Sequence, residues 1–144
     1  MNRFLPLFFF MSLLSLFLFW LLIGGSNENH SPLIGKSLPD YEIEFMGTSN
    51  NSLDDLMDRP GFKIINFWAS WCLPCLVEHP ILMALKGKEN LTIIGINYKD
   101  NKEDALEFLR EQGDPYDFIG IDKDGFFGIE MGITGVPETF IVDE

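Results

Sequence analysis

The sequence FWASWCLPC, residues 67–75, holds Cys72 and Cys75, the only two cysteines of the 144-residue chain. It follows an apolar run, residues 62–68, that predicts a buried strand, and it precedes a segment with helical spacing. At the first turn of a helix, unpaired backbone N–H groups and the positive end of the helix dipole stabilise a thiolate over a thiol. Pro74 suits that turn, because its missing N–H costs nothing there. The pair therefore predicts a site for thiol–disulfide exchange.

Within the pair, we expect Cys72 to be the nucleophile, because it lies nearer the helix start and follows Trp71, which can shield it. Cys75 is then the resolving thiol, and we expect it to be the more buried of the two. A static disulfide is the alternative. A tetrahedral zinc site needs four ligands, and the chain has no further cysteine. Haem attachment would need a histidine directly after Cys75, where Leu76 stands. We predict neither metal nor cofactor beyond the redox-active disulfide.

Residues 66–75, NFWASWCLPC, resemble the thioredoxin superfamily, and the continuation LVEHP, residues 76–80, resembles its membrane-anchored DsbE/CcmG branch. Three later stretches match that branch in the same order: GINYKD at 95–100, DPYD at 114–117 and GVPETF at 135–140. A lone C-x-x-C motif is a weak signal, but four ordered stretches are a strong one. The resemblance covers roughly residues 33–144.

The resemblance implies a substrate-binding platform beside the cysteines. Pro137 matches the proline that is cis in this fold, where it exposes the backbone of Val136 to a substrate strand. An ordinary turn proline is the alternative. Trp71 and Glu138, which follows the proline, complete the residues that we expect to contact substrate.

The same resemblance exposes one departure. Many thioredoxins carry a buried aspartate in the strand before the active site, but this chain has Asn66 there. We predict that Glu78, one turn after Cys75, accepts the proton of the resolving thiol instead; an exposed helix glutamate is the alternative. We predict that His79 lies on the helix surface.

The function implied is that of a protein-disulfide reductase. It would take electrons from a membrane thiol reductase and reduce apocytochrome c, or a protein that handles it, during cytochrome c maturation. Alternatives are an anchored reductase or oxidase with other clients, and a non-catalytic tethered binding module. The sequence does not set the reduction potential, which spans roughly −270 to −120 mV in this superfamily.

Residues 4–23 form an uncharged apolar run, which as a helix would span about 30 Å, the thickness of a bilayer core. A signal peptide is the alternative, although its apolar region is usually about 7–15 residues and ends at a small-residue cleavage site. We predict an uncleaved anchor in residues 1–25 and a linker at 26–32. With Arg3 on one side, the positive-inside rule predicts a single pass through a bacterial inner membrane, with the domain in the periplasm.

The net charge is −12, and Arg3 is the only charged side chain before Glu28, so the remainder carries −13. Such an acidic body does not bind nucleic acid or an anionic membrane surface through charge. Solubility accounts for this balance, and a contribution to the choice of basic partners is the alternative.

The remaining pattern predicts an α/β fold, thioredoxin-like, with a mixed sheet flanked by helices over residues 33–144. We expect strands at 41–45, 62–68, 91–97, 116–119 and 139–142, and helices at 53–57, 76–85 and 103–112. In the active-site helix we expect an inward apolar face, formed by Leu76, Ile81, Leu82 and Leu85. Related domains continue with a further strand and helix, so we expect the C-terminus of this domain to be incomplete.

Overall fold

The computed structural model describes residues 4–23, 33, 35–39, 41–47 and 52–143. The chain divides into two compact units, residues 1–30 and residues 31–144. In the first unit, helix α1 (Leu5–Ile23) contains no charged residue, and its window Leu5–Leu22 has a mean hydropathy of 2.3. By length and composition this helix is able to cross a membrane, a test that an N-terminal signal sequence also passes.

The described part of the second unit contains a mixed five-stranded sheet in the order β1-β4-β3-β2-β5. The strands are β1 (Glu44–Phe45), β2 (Phe62–Trp68), β3 (Leu91–Tyr98), β4 (Phe118–Asp122) and β5 (Glu138–Val142). β2, β3 and β4 are parallel, whereas β1 and β5 run antiparallel to β4 and β2. The parallel strands therefore end together at one edge of the sheet, which is the edge where the cysteines follow β2.

Among the described residues of this unit, four helices accompany the sheet: α2 (Leu53–Met57), α3 (Leu73–Leu85), α4 (Lys102–Gln112) and α5 (Phe126–Glu130). Ser52 caps α2 through a reciprocal capping box with Asp55, and Asn101 caps α4 by accepting the Glu103 N–H. These caps fix the helix starts that the sequence predicts.

Each face of the sheet buries its own core, because successive residues of β2 point to opposite faces. On one face, Ile64 and Trp68 pack with residues of α3 and α4, including Leu82, Ala105 and Leu109. On the other face, Ile65 and Phe67 pack with residues of α2 and α5, including Leu56 and Phe127. The mixed sheet between helical layers confirms the predicted fold class.

Two predicted strands differ from the observed ones by two residues or more at an end, whereas β3 and β5 differ by one residue. Of residues 41–45, only Glu44 and Phe45 pair with β4. The strand predicted at 116–119 begins instead at Phe118, since the Tyr116 N–H donates to Asp114 Oδ1 in a turn and is not available to the sheet. The predicted incompleteness of the C-terminus stays a prediction.

The predicted inward face of α3 is right for Leu82 and Leu85, which pack into the core, and wrong for Leu76 and Ile81. Leu82 is buried, 4% exposed, but Leu76 lies at the surface and Ile81 is 63% exposed. The inward positions are Cys75, His79 and Leu82. Cys75 faces the sheet, and this sets the rotation of the helix, so that the residues four and seven positions later also point inward. The outward apolar side chains follow from that rotation.

Candidate active site

Cys72 and Cys75 form a disulfide at the carboxyl edge of the parallel strands, with a Cα–Cα distance of 5.3 Å. β2 ends at Trp68, and four residues later Cys72 occupies the N-cap of α3. Pro74 lies in the first turn of this helix, where no backbone N–H is required of it. The predicted strand-to-helix setting of the pair is confirmed.

The Cys72 sulfur lies against the start of the helix. Its Sγ accepts a hydrogen bond from the Cys75 N–H at 3.1 Å. This donor is one of the backbone groups that a helix leaves unpaired at its first turn, and it favours negative charge on the sulfur. The contact supports the choice of Cys72 as nucleophile, because the same N–H would stabilise its thiolate after reduction.

The prediction that Cys75 is more buried than Cys72 is wrong. In the disulfide form Cys72 is 3% exposed and Cys75 is 5% exposed. As N-cap, Cys72 turns its sulfur back over the first helical turn, which covers it. Trp71 beside it is 59% exposed, so its ring presents an aromatic surface next to the disulfide, and its contact with substrate stays a prediction.

A cleft too narrow to hold a water molecule lies behind Cys75. It is lined by Asn66, Trp68, Cys75, Glu78, His79, Leu82, Phe108, Tyr116 and Pro137. Hydrogen bonds connect Tyr116, Asn66 and Glu78 of this lining, with Thr139 as the link between Asn66 and Glu78. The cleft therefore joins the resolving cysteine to a set of mutually bonded side chains.

Those side chains form a directed chain of hydrogen bonds that ends on Glu78. The Tyr116 hydroxyl donates to Asn66 Oδ1 at 2.8 Å, and Asn66 Nδ2 donates to Thr139 Oγ1 at 2.9 Å. Thr139 Oγ1 in turn donates to Glu78 Oε1 at 3.0 Å. Each residue donates a hydrogen bond to the next one, so the carboxylate of Glu78 is the final acceptor.

Tyr116 is held as the donor at the head of this chain. Burial raises the pKa of the Tyr116 hydroxyl far above its usual range, and the negative charges of Glu78 and Asp114 raise it further. The hydroxyl therefore keeps its proton at physiological pH. Because Tyr116 donates to Asn66, the orientation of the Asn66 amide follows from the bonds around it.

Glu78 is half-buried and lines the same cleft as Cys75, one helical turn from it. Its predicted role as proton acceptor stays a prediction, and the shared cleft places its carboxylate near the resolving thiol.

Glu138 does not lie on this side of the sheet. Thr139 faces Asn66 and Glu78, so the alternation of β5 turns Glu138 to the opposite face of the sheet. There its carboxylate accepts the Thr134 N–H at 3.3 Å.

His79 does not lie on the helix surface, and that prediction is wrong. It is 3% exposed, and its Nε2 donates to the Gly113 carbonyl oxygen at 2.9 Å. The ring meets Phe108 edge to face, with 5.2 Å between ring centroids. The inward rotation of α3 set by Cys75 buries His79 one turn later.

The Val136–Pro137 peptide bond is cis, as predicted. Pro137 lines the cleft with Cys75, whereas Val136 is half-buried between the two cores. The bond lies immediately before β5, which pairs with β2 next to the cysteines. The structure thus brings Val136 and Pro137 to the site, and their contact with substrate stays a prediction.

The sequence did not predict that Tyr116 and Thr139 belong to the site, or that Asn66 connects them by hydrogen bonds. Asn66 was visible as a polar residue in an otherwise apolar buried strand, a position that requires partners. Its partners lie 50 and 73 residues away along the chain, and no local pattern identifies them.

Among the described residues, no group of three or more His, Cys, Asp or Glu side chains is placed to hold a metal ion.

Comparison with known proteins supports the resemblance seen in the sequence. The Redoxin family model matches residues 33–144. The thiol:disulfide interchange protein HelX of Rhodobacter capsulatus is 44% identical over 118 residues, covering 81% of this chain and 66% of HelX. The thiol:disulfide interchange protein DsbE of Yersinia pestis is 35% identical over 145 residues, covering 97% of this chain and 77% of DsbE.

Solved structures agree on the fold. The thioredoxin domain of a thiol-disulfide oxidoreductase from Bacteroides vulgatus superimposes with a TM-score of 0.62. The match covers 76% of this chain and 80% of that domain at 22% identity, which bears on the fold alone. With a family match over the whole predicted domain and the cysteine pair at the expected strand-to-helix junction, the chain belongs to the Redoxin family, among the thiol:disulfide interchange proteins.

Proposed function

We propose that this chain is a membrane-anchored protein-disulfide reductase that acts in cytochrome c maturation. The observation that carries the proposal is the Cys72 sulfur, bonded to Cys75 and held against the Cys75 N–H at the start of α3. That arrangement stabilises the nucleophilic thiolate once the disulfide is reduced.

In the proposed reaction, the Cys72 thiolate attacks one sulfur of a substrate disulfide. The substrate S–S bond breaks, a mixed disulfide forms, and the released substrate thiolate takes up a proton. Cys75 then gives its proton to Glu78 and attacks Cys72 Sγ, which releases the second substrate sulfur as a thiolate. Protonation of that thiolate completes the transfer of two electrons and two protons to the substrate.

The proposed clients are apocytochrome c or a protein that handles it. Two considerations support this choice: the DsbE/CcmG-type motifs of residues 76–80 and 135–140, and the similarity to DsbE and HelX. The exposed Trp71 ring offers an apolar contact beside Cys72 for a polypeptide substrate. A membrane thiol reductase would return electrons to the Cys72–Cys75 disulfide.

We place the domain in the periplasm, held to the inner membrane by α1. The length and apolar character of α1 support an anchor, and Arg3 supports a cytoplasmic N-terminus. An oxidising compartment also suits a protein whose work is disulfide exchange.

The test is reduction of an oxidised peptide that contains the haem-attachment motif C-x-x-C-H. The reduced full chain in detergent should reduce this disulfide, and the Cys75→Ser variant should stall as a mixed disulfide through Cys72. The Cys72→Ser variant is the matched control, since it keeps one thiol but should trap nothing. If the wild-type chain leaves the peptide oxidised, and reduced peptide instead becomes oxidised by the disulfide form, the proposed direction is wrong.

A further inference from the structure

The loop that carries Trp71 into Cys72 is tied to the segment that follows β3. β2 and β3 are parallel neighbours, with Trp68 opposite Asn97, so their carboxyl ends emerge side by side. The Trp71 indole N–H donates to the Lys99 carbonyl oxygen at 3.1 Å. Lys99 adopts a left-handed conformation with φ 47°, an uncommon one for a residue with a side chain.

The carboxylate of Asp100 makes the stronger connection. Its Oδ2 accepts the Ser70 N–H at 2.6 Å and Asn97 Nδ2–H at 2.8 Å. Its Oδ1 accepts the Ser70 hydroxyl at 2.8 Å and the Asn101 N–H at 2.9 Å. Four donors thus converge on one half-buried charged group, and two of them belong to a single residue of the active-site loop. Hydrogen bonds to a charged acceptor are stronger than neutral ones.

Only one residue separates Ser70 from Cys72. The turn between them is closed by the Cys72 N–H, which donates to the Ala69 carbonyl oxygen at 3.2 Å. Fixing Ser70 therefore fixes the direction in which the chain enters α3. It also fixes the N-cap position that lays Cys72 Sγ on the Cys75 N–H.

We propose that Asp100 is a positioning residue for thiol–disulfide exchange, acting through Ser70 to hold Cys72 at the N-cap of α3. In the oxidised form the disulfide itself holds Cys72 in place. In the reduced form that bond is gone, and the loop contacts to Asp100 and Lys99 keep the sulfur against its N–H donor. Asp100 thus stabilises the reactive thiolate of the reduced protein. This inference rests on the proposed exchange activity and leaves the client open.

A direct charge effect of Asp100 would have the opposite sign. A carboxylate close to Cys72 disfavours a second negative charge, so its removal would ease thiolate formation. The cleft beside Asp100 also carries Glu44, Lys102, Glu103 and Lys123, two acids and two bases. The direction of the change on removing Asp100 therefore separates positioning from charge.

The experiment compares full-length reduced variants in detergent. The thiolate absorbance of Cys72 is titrated with pH, and the rate of exchange with oxidised glutathione is measured at neutral pH. For Asp100→Ala we expect thiolate formation to move to higher pH and exchange to slow about tenfold, the effect of losing the hydrogen bond from the Cys75 N–H to the charged Cys72 sulfur. Asp100→Asn keeps an acceptor oxygen and should recover part of the rate.

Two further variants keep the test decisive. Ser70→Ala removes one of the four bonds and should shift thiolate formation in the same direction by less, even if Asp100→Ala does not fold. Asp117→Ala is the matched control, because its carboxylate accepts the Ile93 N–H at 2.8 Å near the amino end of β3, away from the cysteines. It should leave both readouts unchanged.

Thiolate formation at lower pH in Asp100→Ala and Ser70→Ala, or readouts equal to those of Asp117→Ala, would overturn the proposal. Oxidised glutathione is used because it needs no specific client. Loss of peptide reduction with normal glutathione exchange would instead count against the proposed function.

Discussion

At the residue scale, the surroundings of Cys75 decide how quickly a mixed disulfide is resolved. Glu78 lines the dry cleft with Cys75, and its carboxylate is the end of the hydrogen-bond chain from Tyr116. A positioned general base typically contributes about 10²–10⁴-fold to a proton transfer. We predict that Glu78→Gln, which keeps the shape and the bond from Thr139, slows release of substrate from the mixed disulfide by at least about tenfold.

Rapid-mixing kinetics with an oxidised peptide measure this release. Glu107→Gln is the control, since Glu107 is an exposed carboxylate on α4 that pairs with Arg110. Both variants should unfold at the wild-type urea concentration within error. An unchanged release rate in Glu78→Gln would remove Glu78 from the reaction.

Tyr116 connects the same network to stability at high pH. The raised pKa of its hydroxyl means that, above pH about 10, the unfolded chain loses this proton while the folded chain keeps it. The stabilisation is therefore fully present below pH about 10 and is lost as the pH rises further, by at most about 1.4 kcal/mol per pH unit.

For Tyr116→Phe we predict two changes in urea unfolding. At neutral pH the free energy of unfolding should fall by about 1–3 kcal/mol, because buried Asn66 Oδ1 loses its donor. Above pH 10 it should fall less steeply than in the wild type. Parallel pH profiles for the two proteins would show that Tyr116 is not the group that stays protonated.

At the element scale, α3 shows what a local pattern can and cannot predict. The junction of β2 with the helix was predictable, because Cys72, Pro74 and the preceding apolar strand follow known rules for helix termini, although α3 begins at Leu73 and not at the predicted residue 76. The rotation of the helix was not. The positions of the leucine and isoleucine residues suggest an inward face that includes Leu76 and Ile81. In the structure, Cys75 and with it His79 face inward, because Cys75 faces the sheet. That orientation comes from tertiary structure.

The corrected rotation of α3 predicts unequal costs for two similar substitutions. Leu82→Ala should lower the free energy of unfolding by about 2–5 kcal/mol, because it opens a cavity in the core. Ile81→Ala should change it by no more than about 0.5 kcal/mol, because Ile81 is a surface residue. Urea titration measures both. Equal losses would mean that the helix is rotated as the apolar pattern suggests.

β5 is a second element for which the sequence predicts some features and not others. Its existence and its cis-proline were predicted from residues 135–142, which carry a family motif. Which of Glu138 and Thr139 faces Glu78 was not predicted, because this depends on the register of β5 against β2. Thr139 pairs with Asn66 and so faces Glu78, whereas Glu138 pairs with Phe67 and faces away. A shift of one residue would exchange these roles.

At the scale of the whole molecule, composition and motif order were sufficient for the main outline. The uncharged N-terminal run gives α1, and the acidic remainder gives a Redoxin domain over residues 33–144. The hydrogen-bond network linking Tyr116, Asn66, Thr139 and Glu78 was beyond prediction, since it joins four separate elements or loops. Function at this scale depends on a quantity no motif gives, the free energy of the dithiol relative to the disulfide.

The equilibrium reduction potential of the Cys72–Cys75 pair tests the central claim most directly. The full chain in detergent is equilibrated in buffers of defined thiol–disulfide ratio, and the fraction of oxidised protein is read by alkylation. For a reductase we predict a value nearer to the −270 mV of thioredoxin than to about −120 mV, the value of a strong disulfide oxidant. A potential close to −120 mV would contradict the account, since the pair would then donate disulfides instead of removing them.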